Sequence, residues 1–192
     1  MDNGKSFKGS NRMIKKHYLE THRLILRAIE TTDFESLHRF RSLPQVYRYV
    51  VASPDTKKDT AAFIKWAIAQ MKKKPVQHYR WAVISKNTGN LIGECNLRIE
   101  KTAHKEGAIG YNFHPDFWNQ GYATETTKKL IEFGFSQLKL HRIVATCDTK
   151  NVGSGKVLLN AGMRWEGTFR KNMLQKGKWR DTHQYAIIST KK

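Results

Sequence analysis

Three short segments alternate in polarity: HYRWAVIS over residues 78–85, LIGECNLRIE over 91–100 and EGAIGYNF over 106–113. The first two flank KNTGN, a hairpin turn around Gly89, so the middle of the chain is committed to an antiparallel meander. Period two puts Leu91, Cys95, Leu97 and Ile99 on one face of the central strand and Glu94, Asn96 and Arg98 on the other. One side of the sheet is therefore lined with polar groups, while the apolar side has to be covered by other elements.

The flanking segments supply those elements. HYLETHRLILRAI alternates Leu24 and Leu26 with Arg23, Ile25 and Arg27 and reads as a first strand. TTDFESLHRFRSL follows as a short helix carrying Phe34, Leu37 and Phe40, with Thr32 and Glu35 spaced as a capping box and Pro44 ending it. QVYRYV is assigned to a second helical piece. SPDTKKDTAAFIKWAIAQMKKK is the strongest helical pattern, with Phe63, Ile64, Ala67, Ile68 and Met71 on one side. Lys72, Lys73 and Lys74 suit its carboxyl end, where the helix dipole favours cations.

Beyond the meander, FWNQGYATE leads into a helix running through Ala123, Thr127, Leu130, Ile131, Gly134 and Leu138. HRIVATCD is a strand and NVGSGKVLLNAG a short helix ended by Gly162; MRWEGTFRK and KWRDTHQYAIIS form a closing hairpin around QKG. The order gives an α+β chain with a twisted, mostly antiparallel central sheet flanked by helices and crossover helices only late. With no internal repeat or linker, residues 17–190 are expected to form one domain behind a basic, flexible tail of residues 1–16.

Charge restricts the partners. The chain has 35 Lys and Arg against 16 Asp and Glu, a net of +19, and such a field attracts acidic partners and disfavours polycations. The basic residues are scattered and no base-stacking signature accompanies them, so nucleic acid, an acidic protein and a plain solvated surface all stay open. Cys95 and Cys147 stand alone in strands without CxxC spacing, and the eight histidines show no ligand spacing. Free thiols in a reducing compartment and no metal site are expected. With no run of about 18 apolar residues and no apolar amino-terminal core, a cytoplasmic protein is expected. GSGK at 153–156 is excluded as a nucleotide loop, because no glycine precedes Gly155 by five and Val157 stands where Ser or Thr is required.

FWNQGYATE raises the chemical question. A loop from Trp118 to Ala123 that feeds directly into a helix leaves several amides without intrahelical partners. Gly121 lacks the Cβ that would hinder close approach and Ala123 is small, which suits either a tight structural turn or a cradle for phosphate. The linked segments AIGYNFHPDFWNQGYATE, LHRIVATCDTKNVGSGKVLLNAGM, WEGTFRK and GKWRDTHQYAI, with the opening ETHRLILRAIETTDFESL, resemble in order and spacing the GNAT superfamily of acetyl-coenzyme A dependent N-acetyltransferases. Within it they are similar to the branch of the ribosomal-protein N-terminal acetyltransferases RimJ and RimL. The resemblance covers about residues 17 to 190.

The resemblance implies the GNAT acyl-CoA N-acyltransferase fold, whose fourth and fifth strands splay apart around acetyl-CoA. It also assigns residues. The pyrophosphate loop maps to Trp118, Asn119, Gln120, Gly121, Tyr122 and Ala123, with Thr124 adding a hydroxyl. Trp118 departs from the broad family pattern but is common in this branch. Tyr111, Asn112 and Phe113 would offer backbone groups to the pantetheine arm. Asn151 would cap its helix and contact pantetheine, and Ser154 is the candidate acid that protonates the departing thiolate; a serine bonding its own helix backbone is the structural alternative.

The base is less direct. Many relatives in the branch carry Glu two residues before the GY of the strand motif, where this chain has Ala108. Attention therefore moves to Glu94 and Glu106, either acting through a water chain or serving as a surface ion pair, with Tyr111 and His114 as lesser candidates. The acceptor implied by the resemblance is the α-amine of a protein, of ribosomal-protein type. Other members acetylate polyamines, antibiotics or metabolites, and the positive field disfavours polycations. A basic ribosome- or RNA-binding module that keeps the fold without the activity is the alternative of a different class.

Overall fold

Residues 17–190 are described by the computed structural model, so the expected basic tail over residues 1–16 lies outside the described residues. The first strand is broken in two. β1 (Leu19–Glu20) and β2 (Leu24–Ala28) pair antiparallel across a turn closed by Thr21, whose Oγ1 accepts the Leu24 N–H at 2.9 Å. A short 3-10 turn, Thr31–Asp33, then leads into α1 (Phe34–Arg41). The capping residues differ from those read in the sequence: Asp33, not Thr32, stands at the N-cap of α1, and its carboxylate accepts the Glu30 N–H at 2.8 Å. Arg27 decides this by forking onto both Asp33 oxygens, at 2.8 and 2.6 Å, which fixes the buried carboxylate.

QVYRYV is not a helix. It winds through successive i→i+3 turns, with Val46, Tyr47 and Arg48 N–H groups bonded to Leu43, Pro44 and Gln45. Tyr47 leaves the helical register to bury its ring and donate its hydroxyl to Asp55 Oδ1 at 3.1 Å. α2 (Lys57–Lys72) follows with Ile64 and Ala67 buried, and Thr56 and Asp59 cap it reciprocally.

The meander forms as read: β3 (His78–Ser85), β4 (Leu91–Lys101) and β5 (Glu106–Phe113). α3 (Tyr122–Ser136) ends two residues before Leu138, and β6 (Arg142–Asp148), α4 (Val152–Asn160) and the hairpin of β7 (Arg164–Gln175) and β8 (Lys178–Ile188) complete the chain. The eight strands order as β1-β2-β3-β4-β5-β6-β8-β7, and every neighbouring pair is antiparallel except β5 and β6. α3 is the crossover that this parallel pair requires.

Apolar residues cover the sheet on both sides. Leu24, Leu26, Trp81, Val83, Cys95, Leu97 and Ile143 pack under α3 and α4, while Ala82 and Ile84 meet α1 and α2 through Leu37, Phe40, Ile64 and Ala67. Each fully buried side chain of this size contributes about 1.5–3 kcal/mol. Leu91 corrects the face assignment for β4. A register shift at Val83/Ile84 rotates the start of the strand, so Ile92 joins Cys95 and Leu97 whereas Leu91 packs with the α1–α2 cluster. At the far end, buried Gln175 donates to the carbonyls of Arg48 and Val50 at 3.0 and 2.7 Å, fastening the β7–β8 hairpin to the 45–50 turns.

Candidate active site

The parallel strands stay together only briefly. Glu106, Gly107 and Ala108 of β5 pair with Arg142, Ile143 and Val144 of β6, and no pairing continues although β5 runs to Phe113 and β6 to Asp148. Leaving out the two-residue β1, these are the fourth and fifth strands, and beyond Ala108 they splay. Two helices start at the open end: α3 on the segment after β5 and α4 on the segment after β6. The backbone groups freed by the splay and the first amides of both helices therefore converge on one opening.

At the first helix, Asn119 and Gly121 both lie in the left-handed region, with φ of 58° and 80°. Gly121 is the N-cap, and the first bond of the turn is from the Glu125 N–H to the Gly121 carbonyl at 3.0 Å. The Tyr122, Ala123 and Thr124 amides precede it and have no intrahelical acceptor. Arg23 steadies this loop. Its guanidinium donates to the Gln120 carbonyl at 3.0 Å and to Glu125 at 2.7 Å, and lies 4.4 Å from the centre of the Tyr122 ring. Glu125 also accepts from the Thr21 hydroxyl and the Arg23 N–H; burial opposes its ionisation, but these donors hold its carboxyl below the ordinary range.

At the second helix, Asn151 is the N-cap and its Oδ1 accepts the Ser154 N–H at 3.1 Å. The Ser154 hydroxyl lies 2.9 Å from the Tyr111 hydroxyl, joining α4 to β5 across the splay. Burial pushes the Tyr111 phenol well above its usual value, so it stays neutral and able to donate. Gly155 brings the helix close to Tyr185, whose hydroxyl would be 2.9 Å from an added Cβ. Cys147 is partly desolvated nearby, and burial pushes its thiol up to about 11, which leaves it unreactive at neutral pH.

The two carboxylate candidates separate. Glu106 sits at the closed end of the β5–β6 pair, held by Arg142 at 3.0 Å and Lys101 at 3.2 Å, and the structure does not bring it to the opening. Glu94 lies opposite Asn112 near the open end, 1% exposed, with one oxygen accepting from Arg41 and from Asn112 at 3.3 Å. Its other oxygen, Oε2, is buried without a hydrogen-bond partner among the described residues. His114 engages its own loop: its Nδ1 accepts the Asp116 N–H at 3.2 Å and its ring meets Phe117 edge-on.

Two charged residues of this region were not singled out by reading the sequence. Arg41 ends α1, where it reads as a dipole-compensating cation, yet it pairs with Asp55 at 2.8 Å as well as with Glu94. Arg80 occupies a polar-face position of β3 directly across from Asn96. The period-two pattern of HYRWAVIS could have drawn attention to it. Among the described residues no group of three His, Cys, Asp or Glu side chains forms a metal cluster, and no helix is long and apolar enough to cross a membrane.

A splayed parallel pair with two helix starts at its mouth has the shape and the free amides to receive a long, phosphorylated molecule. The chain belongs to the acetyltransferase (GNAT) domain family, whose model matches residues 23–164. It is thus an N-acetyltransferase that takes its acetyl group from acetyl-CoA. Among its relatives is the uncharacterized N-acetyltransferase YnaD of Bacillus subtilis (strain 168), 32% identical over 171 residues that span 89% of this chain and 96% of the relative. A GNAT-family acetyltransferase from Bacillus anthracis has a solved structure that superposes with a TM-score of 0.80 at 32% identity, covering 89% of this chain and 98% of that one. The ribosomal-protein-S5-alanine acetyltransferase of Vibrio fischeri, at 21% identity and 90% and 97% coverage, shares the fold with a TM-score of 0.79.

Proposed function

We propose that the enzyme acetylates the α-amine at the amino terminus of a protein, with Ser154 as general acid and Glu94 as the terminus of the proton path. The observation that carries this reading is the junction of Ser154 with Tyr111 at 2.9 Å, beside the opening between β5 and β6. The fit of the donor rests on the chain's own groups: the amides of Tyr122, Ala123 and Thr124 for pyrophosphate, and the edge of β5 that β6 leaves beyond Ala108, over Tyr111, Asn112 and Phe113, for the pantetheine amides, although the Phe113 carbonyl is already held by the Trp118 indole N–H at 2.9 Å. Asn119, Gln120 and Gly121 shape the loop that aims those amides, and Asn151 sets the start of α4. When bound, acetyl-CoA supplies a thioester acyl group on a thiol leaving group.

Ser154 is poised to donate its hydroxyl proton to a leaving thiolate, with the Tyr111 hydroxyl in line to replace it. Glu94 Oε2 is the carboxylate oxygen left free to receive the amine's proton through water, because Oε1 is occupied by Arg41 and Asn112. Orienting the two substrates supplies most of the rate enhancement, and each proton-transfer group adds about 10²- to 10⁴-fold. The net charge of +19 favours an acidic or RNA-bound protein as the carrier of the amine, and the solved ribosomal-protein acetyltransferase of the same fold is consistent with it.

The test is acetyl-CoA thiol release with a set of peptides bearing free amino termini, followed by mass-spectrometric location of the acetyl group. Acetylation at the amino terminus is expected, with kcat lowered about 10²-fold or more in Ser154→Ala and in Glu94→Gln. Acetylation confined to lysine side chains, or full kcat in both variants, refutes the assignment.

A further inference from the structure

The face of the sheet opposite α3 and α4 is not evenly covered. α1 and α2 pack over β3 and β4 through Ala82, Ile84 and Leu91, while the β5–β6 junction on that side opens into a cavity of about 330 Å³. Its floor is Ala108, Gly110, Val144 and Thr146, the residues on either side of the point where the strands part. Its wall is Arg80, Asn96 and Arg98. The floor is open because Ala108 is short and Gly110 has no side chain, and the Asn96 amide occupies the space a Cβ on Gly110 would take, 2.8 Å away.

The charges on that wall are unequal in their satisfaction. Arg98 is paired with Glu100, its Nε at 2.6 Å from Oε1. Arg80 has no such partner: among the described residues its guanidinium makes no hydrogen bond, its Nε is buried and unsatisfied, and its neighbours are the rings of Trp66 and Phe63 at 4.9 and 5.6 Å. Aromatic faces stabilise a guanidinium from above but accept none of its five N–H bonds. A half-buried guanidinium with an unsatisfied Nε and further unused donors facing a cavity is complementary to a planar anion. Glu94 attracts Arg80 through space but makes no hydrogen bond or close ion pair with it, its Oε1 being held by Arg41 and Asn112.

We propose that Arg80 anchors a carboxylate of the acceptor, so that preferred acceptors carry an acidic group close to the amine that is acetylated. The inference rests on the acetyltransferase reading above and names its substrate class. The amine then enters from the uncovered face, opposite the helices whose amino termini face the donor, with its anionic group seated on Arg80 and the Asn96 amide beside it. A cavity of this volume suits an amino-acid-sized moiety, and the positive field of the chain draws in such acceptors.

The experiment compares matched acceptors by thiol release: peptides with Asp or Glu at position two against the same peptides with Asn or Gln, and free amino acids against their amides. A charge-assisted bond predicts that acids exceed amides in kcat/KM by about tenfold or more in one of the two arms, and the arm identifies whether the carboxylate is a side chain or the free α-carboxylate. In Arg80→Gln the acid-to-amide ratio should fall to near one, with Arg80→Lys in between. Asn96→Asp, isosteric and directly across from Arg80 in the cavity wall, gives Arg80 an internal carboxylate and should lower the same ratio without depending on how Arg80→Gln folds. Wild-type ratios near one in both arms, or an Arg80→Gln enzyme that keeps the preference, overturn the proposal. Acetyl-CoA binding with no carboxylate acceptor turned over also overturns it. Failure to bind acetyl-CoA at all is a different result, one that removes the acetyltransferase reading itself.

Discussion

Gly121 and Gly177 allow the donor loop to be tested against a matched control. Both glycines lie in the left-handed region, at φ of 80° and 73°, so alanine costs each about 1–2 kcal/mol of backbone strain. Around Gly177, in the tip of the β7–β8 hairpin, nothing lies within 4 Å of an added Cβ. At Gly121 the added Cβ would be 3.3 Å from Arg23 Nη2, so the guanidinium that holds Gln120 and Glu125 has to give. Both variants should lose about 2–8 °C in thermal midpoint, at roughly 2–4 °C per kcal/mol for a chain of this size. Only Gly121→Ala should weaken acetyl-CoA, by about tenfold or more in Kd by calorimetry, because it reorients the Tyr122–Thr124 amides. If Gly121→Ala loses stability like its control yet binds acetyl-CoA as tightly as the parent, the loop is a turn and not a cradle.

Two further outcomes follow from the packing. Asp148, 2% exposed, accepts from Arg180 at 2.8 Å through both oxygens and from the Lys150 N–H at 2.7 Å; burial opposes ionisation, but these donors hold its carboxyl below the ordinary range. A folded pKa below the unfolded value means that the stabilisation is complete above about pH 4 and disappears as pH falls through the folded pKa. The gap in urea midpoint between the parent and Asp148→Asn should accordingly be constant from neutral to mildly acidic pH and close in strong acid; a gap independent of pH would contradict the linkage. Gly134 lets α3 approach the sheet, and an added Cβ would lie 2.6 Å from Ile143 Cδ1, so Gly134→Ala should lower the unfolding free energy by about 1–3 kcal/mol. An unchanged urea midpoint would show that the contact relaxes at no cost.

What could be read from the chain was what is local. β3 and β5 begin and end where alternation placed them, and Gly121 and Asn151 stand at helix starts as their residue types suggest. The failures share a cause, since each is decided by a specific contact that residue spacing does not encode. Thr32 lost the cap to Asp33 because Arg27 reaches it, QVYRYV follows the Tyr47–Asp55 bond instead of helical spacing, and Leu91 changed face at a bulge set by β3. Glu94 and Glu106 were indistinguishable as letters. Only the pairing of Glu106 with Arg142, and its end after Ala108, reveals which end of the strand opens. That the Arg80 guanidinium lacks a hydrogen-bonded partner among the described residues is likewise invisible without the positions of Glu94, Glu100 and Asn96.

The bond from Gln175 to Arg48 and Val50 has a consequence for exchanging parts between relatives. The family match stops at residue 164, at the start of β7, so this latch joins a segment inside the matched region to one beyond it. Carbonyls carry no side-chain identity, and the 45–50 turns therefore depend on the hairpin for their seat without encoding that dependence in their own residues. A hybrid enzyme that imports a hairpin one residue shorter would misplace the amide of Gln175 and release a turn more than a hundred positions upstream, with every residue of that turn unaltered.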